Sequence, residues 1–122
     1  MDSEEGVRKF EKALSQMVGL QQQIAALSQK KPNDALNKFK LDLVNDLLGI
    51  ANKYLGEELR PFPRFEVFDE ETMPSNSDVA IMLDQYLSRL REFRESNSEQ
   101  DARYHQCWLI KGRRSTIEVS HV

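Results

Sequence analysis

Residues 4–29 contain no proline, and their apolar side chains recur at heptad spacing: Phe10, Met17 and Ile24 stand seven apart, with Ala13, Leu20 and Leu27 interleaved. This is a seam of about three heptads, the signature of a long helix that buries one narrow stripe. Arg8, Glu11, Lys12, Ser15, Gln22 and Gln29 hold the opposite positions and read as water-facing. An intramolecular hairpin seam is the commoner home for such a stripe. The alternative is a coiled coil between chains, which makes the protein a dimer. Phe10, Met17, Leu20, Ile24 and Leu27 are accordingly the candidate interaction residues, towards a protein partner or a second copy.

The helix must stop at Lys30-Lys31-Pro32, because the residue before a proline avoids the α region. Asn33 or Asp34 is expected to cap a second helix over about 35–55. Its apolar set is wide: Leu36, Phe39, Leu43, Leu47, Ile50 and Tyr54 form one stripe, flanked by Leu41, Val44, Leu48, Ala51 and Leu55. Such a helix is expected at the centre of the fold, wetted on little of its surface. Gly56 is the expected stop, since glycine takes a left-handed conformation without a Cβ penalty. A short loop between two helices favours an antiparallel hairpin.

Pro61, Pro63 and Pro74 break the pattern over 57–76. Phe62, Phe65, Val67 and Phe68 predict an ordered, extended connection that packs rather than a disordered linker, with room for one short strand at 65–68. Ser75 and Asp78 are spaced as a capping pair before a third helix over about 77–95, whose stripe is Val79, Leu83, Tyr86, Leu90 and Phe93. Tyr104–Ile110 and Ser115–Val119 are β-prone runs around Lys111-Gly112-Arg113-Arg114, which reads as a β-hairpin over about 104–119. An isolated hairpin is marginal in water, so it should lie on the helices and bury Trp108. The expected fold is mainly α in a single domain spanning 1–122: an N-terminal antiparallel helical hairpin, a third helix and a small C-terminal β-hairpin. A chain of this length buries about two thirds of its surface on folding and needs no disulfide to do so.

The net charge of −3 argues against a general duplex-DNA binder, whose affinity comes from neutralising many phosphates. The charge is nevertheless uneven. Arg103, Lys111, Arg113 and Arg114 against Asp101 and Glu118 leave residues 101–122 at +2 and residues 1–100 at −5. Tyr104, Trp108, Lys111, Arg113 and Arg114 therefore form a candidate contact for a small anion or single-stranded nucleic acid, which combines cations with aromatic faces. A hairpin tip is also where solvated lysine and arginine ordinarily sit.

Catalytic signatures are absent. His105 and Cys107, at i and i+2 on a strand, should share one face, but no orienting group or oxyanion site accompanies them. With His121 they offer three potential metal ligands at no familiar spacing. Asp69-Glu70-Glu71 reads as a solvated acidic turn, and no phosphate-cradling or dinucleotide motif is present. No cofactor and no metal is expected.

No run of about 18 apolar residues exists, so no helical membrane span is expected. The acidic start Asp2-Ser3-Glu4-Glu5 is unlike a secretory signal, and the lone Cys107 fits a reducing compartment. A cytoplasmic location is the expectation. The function these features favour is a non-enzymatic protein–protein interaction module, a subunit or adaptor of a larger assembly. The alternative is a binder of small anions or single-stranded nucleic acid that uses the C-terminal hairpin.

Overall fold

The first helix, α1, spans Glu4–Lys30 in a computed structural model that describes residues 1–122. Its N-terminus is capped by Ser3, whose hydroxyl accepts from the Gly6 N–H at 3.0 Å, and Glu4 and Glu5 complement the positive end of the helix dipole. The second, α2, spans Lys38–Leu59, and the third, α3, spans Asn76–Ser96. A three-stranded antiparallel sheet follows, in the order β1 (Ser98–Gln100), β2 (Gln106–Ile110), β3 (Arg113–Glu118). The fold is therefore mainly α with a small C-terminal sheet.

Ring contacts fix the helix directions. Phe10, near the start of α1, meets Tyr54 near the end of α2 and Phe93 near the end of α3, each at 5.3 Å between centroids. Hence α2 and α3 both run antiparallel to α1 and parallel to each other. Two consecutive parallel helices require a return connection along the length of the bundle. For a 22-residue helix that is roughly 33 Å, within reach of an extended segment of this length.

The connection is held to α2 by side-chain amides. Asn45 donates to the Phe68 carbonyl and accepts from the Phe68 N–H, and Asn52 donates to the Glu66 carbonyl. Tyr86 on α3 donates to Asn52 Oδ1 at 2.6 Å, so one amide links α2, α3 and the connection. Phe65 and Phe68 pack edge to face at 5.0 Å. No strand forms at 65–68; side-chain anchoring takes the place of a ladder, and the one regular piece is a 3-10 turn at Glu70–Thr72.

Two expectations about helix ends are corrected. Asn37, not Asn33 or Asp34, caps α2, with its side chain accepting from the Lys40 N–H. Segment 32–36 instead pairs with the entry to α3: Leu36 N–H donates to the Pro74 carbonyl and Asn76 N–H to the Asp34 carbonyl. Gly56 does break α2, at φ 65° and ψ −174°, a conformation only glycine adopts readily, but one further turn follows it to Leu59.

The core joins α1, α2, α3 and Trp108. Its α2 contribution is Leu41, Val44, Leu47, Leu48, Ala51 and Leu55, which is mainly the flanking set and not the expected stripe. Phe39, Leu43 and Ile50 are exposed by 73, 39 and 37%. A helix at the side of a three-helix bundle meets its neighbours over one arc only, so the second apolar arc of α2 is left outside.

Candidate interaction surface

That outer arc of α2 borders a cleft against α1. On the α1 side stand Gln16, Gly19, Leu20 and Gln23, and on the α2 side Leu43, Asp46, Leu47 and Ile50, around a volume of about 410 Å³. Gln16 and Ile50 also line a larger cavity of about 940 Å³, so the two are continuous along the α1/α2 junction. From Lys9 to Gln23 the α1 wall runs roughly 20 Å at helical rise. Gly19 leaves its section open: a Cβ built there meets nothing within 4 Å.

Charge is unevenly placed along this cleft. Lys9, Lys12 and Lys53 line the larger cavity against one carboxylate, Asp2. Lys9 pairs with Glu5 at 3.1 Å, while Lys12 and Lys53 make no ion pair. Tyr54 lies in the same cavity, with its hydroxyl donated to the Gly6 carbonyl at 3.0 Å. Burial pushes the Tyr54 phenol up, against the opposing pull of Lys9, so it stays neutral and serves as lining. Two turns away, Asp46 is the one charged residue of the narrower section.

The sequence-derived interaction set divides. Phe10, Met17 and Ile24 are fully buried inside this chain by α2, α3 and Trp108, which corrects their reading as surface for a partner. Leu20 and Leu27 are half-buried at the edge of the core, and Leu20 opens on the cleft.

The basic aromatic set is also dispersed. Trp108 is 0% exposed, stacked edge to face on Phe10 at 5.1 Å, with its indole N–H donated to Glu11 Oε1 at 2.9 Å. It is core, not a contact for an anion or a base. Tyr104 is 80% exposed but lies outside the strands, at φ 64° in the turn closed by Asp101. Lys111 and Gly112 form the two-residue turn, at φ 53° and 77°, and hairpins of this kind favour such positive angles. Lys111 and Arg113 are exposed, whereas Arg114 donates to the Gln100 carbonyl and faces Glu99 at 3.8 Å, tying β3 across to β1. The aromatic partner that the reading needed, Trp108, is enclosed in the core and out of reach of a ligand at the tip.

His105 and Cys107 converge on Asp101, which takes the Cys107 thiol at 3.9 Å and lies 3.8 Å from His105 Nδ1; Glu118 lies 3.1 Å from the same nitrogen. Burial, then Asp101 and Glu118, push the Cys107 thiol up, the opposite of what a nucleophile requires. Backbone N–H donors from His105 and Arg103 hold Asp101 below the usual carboxylate range, so it acts as the ionised hub of this turn. His121 is exposed, and no group of three His, Cys, Asp or Glu side chains is arranged to hold a metal ion.

Two polar residues matter most inside the fold: Glu11, which reads as water-facing in the sequence, and Arg94, which the sequence reading does not single out. Glu11 Oε1 accepts from both Trp108 and the Ser120 N–H, and Arg94 donates to Ser120 Oγ and the Val122 carbonyl, each at 3.0 Å. Together they fasten the C-terminal segment to α1 and α3. The available signal was their position: Glu11 is one residue from Phe10, and Arg94 continues the Tyr86, Leu90 stripe.

The acidic run has one unexpected contact. A hydrogen bond with Asp42, then repulsion from the same carboxylate, raises the Glu70 carboxyl above its ordinary value. A carboxyl raised in the folded state binds its proton more tightly folded than unfolded, so this contact stabilises at acidic pH and loses that contribution as pH rises through the folded value. Glu70→Gln is expected to stabilise the protein at neutral pH and to change little at mildly acidic pH. Urea midpoints at the two pH values check this; equal shifts at both would show that the pair does not share a proton.

Comparison with known proteins returns no match: no family profile fits this chain, and neither a curated protein nor a solved structure is significantly similar to it. No helix is long and apolar enough to cross a membrane.

Proposed function

We propose that this chain is a non-enzymatic protein–protein interaction module, a subunit or adaptor of a larger assembly, and that the α1/α2 cleft is its docking face. One observation carries the reading. Phe39, Leu43 and Ile50 stand exposed along a single face of α2, while α1 presents Leu20 and the bare backbone of Gly19 beside it. Covering a large apolar side chain is worth about 1.5–3 kcal/mol, so a row of three supplies a central hot spot of ordinary strength. Its geometry is that of helix-in-groove recognition, in which anchors repeat every three or four residues. The buried, unpaired Cys107 supports placing the module in the cytoplasm.

Leu43→Asp with Ile50→Asp is expected to abolish capture of the physiological partner while leaving the melting temperature within a few degrees of wild type, because both positions are exposed. Gly19→Leu fills the cleft and improves helix propensity by roughly 1 kcal/mol, so it should block the partner without destabilising the fold. Lys111→Glu, Arg113→Glu and Arg114→Glu together should leave that partner bound. Quantitative affinity capture across the three proteins decides the matter: a partner that follows the tip charges and ignores the cleft would favour the hairpin reading.

A further inference from the structure

The charges along the cleft state what its occupant must carry. We infer that the α1/α2 cleft receives an amphipathic helix of another protein, about 14 residues long, bearing a carboxylate opposite Lys12 and Lys53 and, about seven residues away on the same face, a cation opposite Asp46. This inference rests on the interaction reading above and specifies its partner.

The length follows from the wall. An occupant matched to roughly 20 Å of α1 needs about 14 helical residues at 1.5 Å each. The helical form follows from the walls being two helices with no strand edge exposed between them, and from the 3–4 spacing of the apolar residues. The charge order follows from two facts. Lys12 and Lys53 lie at one end without an ion-pair partner, and Asp46 lies seven residues before Lys53 on the same α2 face. Cations left unpaired beside an apolar wall favour a carboxylate on whatever covers that wall, because a mismatched charge there is desolvated without compensation. Between the two charged positions the occupant meets Ile50, and around Asp46 it meets Leu43 and Leu20, so along that face it must itself be apolar.

A second copy of this chain fits less well. A two-fold pairing of the outer α2 faces centred on Asp46 sets Asp46 against its own copy. It also brings Lys53 to the turn of the other chain that carries Lys38 and Lys40. Both juxtapositions are between like charges.

The test is a displayed library of helix-forming peptides about 16 residues long, selected on the full-length protein. Binders are expected to carry apolar residues three and four apart, a carboxylate, and a cation about seven residues from it. Lys12→Glu with Lys53→Glu should weaken them about tenfold, as the loss of two modest ion pairs implies. Selection on the protein with Lys12→Glu, Lys53→Glu and Asp46→Lys should return the reversed charge order. Binders blocked by Leu43→Asp and Ile50→Asp, or by Gly19→Leu, but showing no charge order would overturn this inference and leave the interaction reading standing. No binder sensitive to those substitutions would overturn both. A concentration-dependent dimer dissociated by Leu43→Asp and Ile50→Asp would identify the occupant as a second copy and overturn the inference in that way. Circular dichroism of each variant establishes that the fold is retained.

Discussion

Trp108→Ala is expected to cost about 3–5 kcal/mol and to detach the C-terminal sheet from the helices. The indole is completely enclosed, packed on Phe10 at an interplanar angle of 75°, and its N–H is one of two donors that satisfy Glu11 Oε1. Truncation opens a cavity beneath β2 and leaves the Glu11 carboxylate with fewer donors in a half-buried site. A small sheet has little stability of its own, so the loss falls first on the strands. Trp108→Phe, which keeps most of the apolar bulk, should cost less, on the order of 1–3 kcal/mol, chiefly for the lost hydrogen bond. Urea unfolding followed by far-ultraviolet circular dichroism measures both costs. In the wild type, tryptophan emission should be blue-shifted and protected from acrylamide. Emission at the free-indole maximum with full quenching would show instead that the sheet is not docked on α1.

Ile24→Asp is expected to unfold the chain at room temperature, while Leu20→Asp should leave it folded and unchanged in mass. The two residues are four apart in one heptad stripe and have different surroundings. Ile24 is wholly buried among core side chains, where an ionised carboxylate has no partner and costs several kcal/mol to desolvate. Leu20 lies at the rim of the cleft, where an aspartate reaches water and should cost no more than about 1–2 kcal/mol. Sedimentation equilibrium with thermal denaturation separates the outcomes. A single species near 14.2 kDa for both wild type and Leu20→Asp is expected, because the seam is filled within one chain. Dissociation of a dimer by Leu20→Asp would return the stripe to an interface between copies.

The linear sequence determined the three helices and their order. Proline-free apolar periodicity over 4–29 marks α1, Pro32 ends it, and Ser75 with Asp78 announces α3 through a cap that the structure forms as spaced, the Ser75 hydroxyl accepting from the Asp78 N–H. Burial of Trp108 was legible too, because a strand carrying Trp, Leu and Ile cannot stand in water alone. What α2 does with two apolar arcs was not legible. Periodicity shows that a helix has such arcs, whereas which arc is covered depends on where α1 and α3 lie. That choice turned Leu41, Val44, Leu48 and Ala51 inward and left Phe39, Leu43 and Ile50 outside, with Leu43 and Ile50 lining the cleft. β1 was hidden for a related reason. Ser98-Glu99-Gln100 has little strand propensity of its own and becomes a strand because β2 pairs with it, Ser98 opposite Trp108 and Gln100 opposite Gln106. Glu11 and Arg94 look like surface residues in any window of sequence. They became internal only when the C-terminal segment folded back between α1 and α3 and met their charges with its backbone and Ser120. Local periodicity is fixed by the chain's own rise and twist; which side of an element is buried, and which polar groups find partners there, is set by elements distant in sequence, and that was decided only in three dimensions.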